Sequence, residues 1–109
     1  WEQLTYQSLA KALVDRSRES KASSSSKDVT VSFALQISQK PSKGIGFQVW
    51  DGAFVLARYL ERNVAIEGRC VLELGSGAGL VGIVCGHLGA SCTLTDVGGV
   101  LMLTSRNVL

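Results

Sequence analysis

The spacing of hydrophobic residues changes several times along the chain, and each change marks an element. From Val29 to Ile37 the pattern alternates: Val29, Val31, Phe33, Leu35 and Ile37 share one side, and Thr30, Ser32, Ala34 and Gln36 the other. A period of two held this long predicts a strand with one buried face. Upstream, Trp1, Leu4, Leu9, Leu13 and Val14 fall near helical spacing, which predicts an amphipathic helix over 1–19. Between them, KASSSSKD at 21–28 is a polar linker. QKPSKGIG at 39–46 is a loop punctuated by Pro41, Gly44 and Gly46.

Beyond that loop, Trp50, Ala53, Phe54, Ala57 and Leu60 lie on one face of a helix capped by Asp51 and running to about Arg62. RCVLEL at 69–74 is nearly continuously apolar, as a parallel strand covered on both faces would be. A glycine-rich turn follows. LVGIVCGHL at 80–88 is the crossover helix that Gly89 stops, SCTLTD at 91–96 a second parallel strand, and 97–109 a further helix. Strand, glycine turn, helix and strand make a βαβ unit, so the fold class is α/β. Residues 1–28 read as an N-terminal helix and serine-rich linker, and 29–109 as the folded domain.

Composition narrows the function classes. The chain has 109 residues and a net charge of +2, too mild to suggest a nucleic-acid surface. No apolar run approaches the ~20 residues that cross a bilayer, and the N-terminal stretch lacks the apolar core of a signal peptide. Cys70, Cys85 and Cys92 all lie in apolar segments without metal-ligand spacing, so buried, reduced thiols are expected, which suits a cytoplasmic or nuclear protein. His87 is the single histidine and has no partner at catalytic or metal-ligand spacing. Arg58, Glu61, Arg62 and Arg106 read as solvated helix faces.

The chemistry is concentrated in ELGSGAGLVG at 73–82. Glycines between a strand and a helix let backbone approach a ligand, at the carboxyl ends of the strands. Asp96 ends the next strand, where an acid can accept the hydroxyls of a ribose. Started at Gly77, the pattern is Gly-x-Gly-x-x-Gly and would receive a pyrophosphate at the helix N-terminus. That puts the acid Glu73 close to two phosphates. Started at Gly75, Glu73 closes the strand and suits a cofactor carrying an ammonium and a sulfonium. The acid favours S-adenosylmethionine over a dinucleotide, with Gly79 and Gly82 serving helix–sheet packing.

With these motifs assembled, GFQVWDGAFVLARYLE, VLELGSGAGLVGIV, LGASCTLTD and VLMLTSRNV, in this order, resemble the seven-β-strand protein lysine methyltransferases. Within them the resemblance is to the methyltransferase-like group that modifies chaperones, elongation factors and other non-histone proteins. It runs from about Val29 to Leu109. It implies a Rossmann-like class I methyltransferase fold, here reaching only past the second core strand, and a protein substrate. It also implies that Trp50 borders the cofactor, that Glu73, Gly75, Ser76 and Gly77 surround its methionine and sugar portions, and that Asp96 holds the ribose. No catalytic residue and no metal ligand is assigned, because the lysine-facing motifs of the family lie further along. A chain bearing only this part is expected to be marginally stable on its own. A methyltransferase of another substrate class and a non-catalytic interaction module are the alternatives.

Overall fold

The computed structural model describes residues 1–8 and 33–109. Its elements are strands β1 (Glu2–Gln7) and β2 (Ala34–Gln39), two short 3-10 turns, helix α1 (Asp51–Asn63), strand β3 (Cys70–Leu74), helix α2 (Leu80–His87), strand β4 (Ser91–Thr95) and helix α3 (Gly98–Val108). β1 and β2 form an antiparallel pair, with Leu4 opposite Ile37 and Tyr6 opposite Leu35. β3 and β4 form a parallel pair, with Glu73 opposite Leu94. α2 crosses over between them, so the βαβ unit is present.

The N-terminal segment corrects the sequence reading. Residues 2–7 are a strand, not the start of a helix. Leu4, Tyr6 and Ser8 turn inward while Gln3, Thr5 and Gln7 stay exposed, a period of two that the leucine spacing obscured. Pairing with β2 then outweighs a weak helical pattern, because it buries Tyr6 and Ile37 almost completely. The remainder of the expected helix, the linker and the first residues of the expected strand lie outside the described residues. β2 continues to Gln39, past the expected end at Ile37.

Three further expectations are corrected. Asp51 does not cap α1: Trp50 is the N-cap, without a side-chain bond, and Asp51 is the first helical residue, where its charge faces the positive end of the helix dipole. β3 is not covered on both faces among the described residues: Val71 and Glu73 are half-buried on the α2 side, while Leu72 and Leu74 are 62% and 77% exposed. Its continuous apolar run therefore reflects two different environments. Glu61 is no solvated charge. Its enclosed carboxylate accepts from Arg58 at 3.2 Å, from the Tyr6 hydroxyl at 3.4 Å and from the Ser8 hydroxyl, fastening β1 to α1. A paired, hydrogen-bonded carboxylate is the form in which a buried charge is tolerated. The guanidinium of Arg58 also stacks 4.7 Å from the Tyr6 ring centre.

The core has two parts. Tyr6, Leu35, Ile37, Ala57, Leu80, Val84 and Leu103 join the hairpin to all three helices. Ile66, Val81 and Cys85 fill the space beneath α1. α2 lies among these layers, with Leu80, Val81, Gly82, Val84 and Cys85 all buried. That position fixes the glycine turn at its N-terminus. Among the described residues no helix is long and apolar enough to cross a membrane.

Candidate functional site

The turn between β3 and α2 is held at both of its backbone polarities by side chains from other elements. Gly75, Gly77 and Gly79 have φ of +67°, +55° and +87°, a region closed to most side chains, which is why the turn is built from glycine. The N–H of Gly77 donates to Asp96 Oδ2 at 2.7 Å. The N–H of Gly82 donates to Glu73 Oε2 at 2.8 Å. On the acceptor side, Thr104 Oγ1 donates to the Gly77 carbonyl at 2.7 Å, and Asn107 Nδ2 donates to the Ala78 carbonyl at 2.8 Å. The strands add two ties: Ser76 N–H to the Thr95 carbonyl at 2.9 Å, and Thr95 Oγ1 to the Glu73 carbonyl at 2.8 Å.

Gly82 shows why a second glycine is needed inside the helix. A Cβ there would come within 2.6 Å of Glu73 Oε2 and 2.7 Å of Leu94. The missing side chain lets α2 sit against β3 and β4 closely enough for its backbone to reach Glu73.

Trp50, Glu73, Gly75, Ser76, Gly77 and Asp96, the six residues named from the sequence, line one cleft of about 620 Å3. Trp50 stands at its rim, 55% exposed, with Nε1 donating to the Ile45 carbonyl at 3.0 Å. Asp96 is half-buried at the tip of β4. Its Oδ1 accepts from the Val97 N–H at 2.7 Å, and α3 itself is capped by Val97 without a side-chain bond, so Asp96 belongs to the cleft and not to the helix start. Two backbone bonds leave the carboxylate with spare acceptor capacity. Ser76 is buried, and among the described residues its hydroxyl has no hydrogen-bond partner. An unsatisfied buried hydroxyl costs about 1–3 kcal/mol, and such groups concentrate where a structure is built for something other than stability.

Burial pushes the Glu73 carboxyl above the usual carboxylate range, with the Gly82 N–H partly opposing the rise. The same apolar surroundings, with Cys92 and Glu73 nearby, push the Cys85 thiol up to about 11. A thiol held so far from its thiolate form is packing material, not a nucleophile. Cys85 is buried as expected, Cys92 is half-buried, and Cys70 is exposed, which corrects the expectation for that residue. His87 is exposed at the end of α2, its Nδ1 3.0 Å from the Ile83 carbonyl and its ring 4.9 Å from Phe33. Among the described residues no three His, Cys, Asp or Glu side chains converge as metal ligands would.

Thr104 and Asn107 were not singled out from the sequence. They stand three apart on α3, beside the buried Leu103, so both point into the protein. A Thr and an Asn on the apolar side of an amphipathic helix were the available signal.

The charged groups lining the cleft, among the described residues, are Glu73 and Asp96, both acids. They already occupy the N–H groups of Gly77, in the turn, and Gly82, in the first turn of α2, donors of the kind that bind phosphate.

Comparison with known proteins identifies the family. The profile of the lysine methyltransferase family matches residues 30–109. The chain is 47% identical over 66 residues to protein N-lysine methyltransferase METTL21A of Danio rerio, covering 60% of this chain and 30% of that protein. It is 45% identical over 84 residues to METTL21A of Mus musculus, covering 72% and 38%. It is 41% identical over 66 residues to EEF1A lysine methyltransferase 3 of Xenopus tropicalis, covering 60% and 30%. The matched segment thus spans little more than a third of these relatives at most. With a family profile running over most of its length, the chain belongs to the lysine methyltransferase family.

Proposed function

We infer that the chain is the cofactor-binding part of an S-adenosylmethionine-dependent protein methyltransferase of Rossmann-like class I fold, its domain starting near Val29 and its substrate a lysine of a non-histone protein. The observation that carries this reading is the charge of the cleft. Its acids bond two of the backbone donors beside the glycine turn, and they make a negative site that suits a cofactor with cationic centres better than a pyrophosphate. The names of the relatives support a lysine of a protein as acceptor, and one of them names a translation factor.

When bound, S-adenosylmethionine supplies a methyl group on a sulfonium, an activated leaving group. The chain's own residues then have the task of positioning. Asp96 would accept hydrogen bonds from the ribose with the lone pairs that Gly77 and Val97 leave free. Glu73 would set the negative potential at the strand end, and the Gly75–Gly77 turn would let backbone lie against the sugar and methionine portions. Trp50 would cover the rim and exclude water.

The test uses the complete natural protein containing this chain. It is incubated with methyl-tritiated S-adenosylmethionine and a whole-cell extract, the label is traced to the protein, RNA or small-molecule fraction, and a labelled protein residue is read by mass spectrometry. Label on lysine is the expected outcome. Label on RNA, a small molecule or arginine would move the protein to another substrate class, and no transfer by a folded protein would favour the non-catalytic module.

A further inference from the structure

Asn107 connects two parts of the molecule that share no strand. Its Oδ1 accepts from the Ser38 N–H at 2.9 Å, and its Nδ2 donates to the Ser38 carbonyl at 3.0 Å. This two-point grip on one residue of β2 fixes the plane of the amide. The remaining N–H of Nδ2 is thereby aimed at the Ala78 carbonyl, 2.8 Å away in the glycine turn. Three of the four hydrogen bonds this side chain can make are used.

The Ala78 carbonyl needs that donor for a local reason. It lies one residue before Gly79, the N-cap of α2, whose own carbonyl takes the first helical bond, from the Ile83 N–H at 3.0 Å. The N–H of Gly82, in the first turn of α2 and without an acceptor inside the helix, donates to Glu73. The Ala78 carbonyl therefore has no partner within α2, and Asn107 supplies one. Thr104 does the same for the Gly77 carbonyl, and the other bond of its hydroxyl, to the Val100 carbonyl, stays within α3.

We propose that Asn107 is a positioning residue that couples the β1–β2 hairpin to the cofactor turn, so that docking of the hairpin and occupancy of the cleft stabilise one another. The proposal rests on the methyl-donor reading of the cleft and adds a control on that same site. Coupling of this kind is reciprocal: if the gripped hairpin favours the binding shape of the turn, a bound cofactor protects the hairpin equally.

The experiment measures S-adenosylhomocysteine binding by calorimetry and hydrogen exchange at β1–β2 amides, with and without that ligand, in the complete natural protein. The parent is expected to bind and to show slower hairpin exchange when loaded. Asn107→Ala should bind about tenfold more weakly, the scale of one lost hydrogen bond with a carbonyl left unpaired, and should lose the ligand-linked protection of the hairpin. Thr104→Val should weaken binding comparably while keeping that protection, which separates coupling from simple loosening of the turn. Asn107→Asp keeps an acceptor for Ser38 but has no donor for Ala78, and it decides the matter if the alanine variant does not fold. A parent that binds no S-adenosylhomocysteine overturns the methyl-donor reading and this inference with it. A parent that binds, beside Asn107 variants that bind within about twofold of it and retain hairpin protection, overturns the coupling alone.

Discussion

The two faces of the β3–β4 pair have the same backbone and opposite surroundings. On one, Val71, Glu73, Cys92 and Leu94 meet α2, and a glycine in that helix admits contact so close that a single Cβ would collide. On the other, Leu72 and Leu74 are largely exposed. A strand's side chains alternate between faces, so each residue's role is decided by what its face meets and not by its own hydrophobicity. Glu73, the one acid in the strand, sits on the packed face, where burial raises its pKa and a helix N–H holds it.

The largest expected difference comes from truncating one large apolar residue in each environment. Leu80→Ala, at 2% exposure, should destabilise by about 2–5 kcal/mol. Leu74→Ala should stay within about 0.5 kcal/mol in urea unfolding of this chain. Equal losses would mean that the open face is covered in solution.

A second contrast lies within α2. Gly82→Ala drives a methyl group into Glu73 and Leu94 and should cost about 1–3 kcal/mol. Gly86→Ala meets nothing within 4 Å and should stabilise the helix by roughly 0.5–1 kcal/mol. Thermal melting of the two variants side by side gives the sign of each.

The smallest effect is a pH dependence. A carboxyl whose folded pKa lies above its unfolded value binds its proton more tightly in the native state, so stability falls as pH rises from about 4.5 through the folded pKa. Glu73→Gln keeps an acceptor for Gly82 and removes the titration. It should flatten that part of the stability profile, and an unchanged slope would assign the dependence to another group.

The βαβ order and the cleft residues were legible because each has a local cause. Glycines with positive φ, an acid at each strand end and a continuous apolar strand leave marks within a few positions. The first strand was misread because its inward pattern, Leu4 and Tyr6, runs on to Ser8 just past its end, a hydroxyl bonded to Glu61, 53 residues away. Glu61 itself looked like a surface charge for the same reason. Asn107 and Thr104 were missed because their partners, Ser38, Ala78 and Gly77, are 27 to 69 residues distant. Local pattern finds what the backbone requires at a position, and it passes over polar side chains whose purpose lies in another element.

The central claim, that the two acids and the glycine turn make a methyl-donor site, is tested most directly by calorimetric titration of S-adenosylhomocysteine into the complete natural protein and its Asp96→Ala variant. The account predicts saturable binding to the parent and roughly ten- to several hundredfold weaker binding to the variant, since charged hydrogen bonds of about 1.5–3 kcal/mol each are lost. Equal affinity for the two, or no binding to a folded parent, would contradict it.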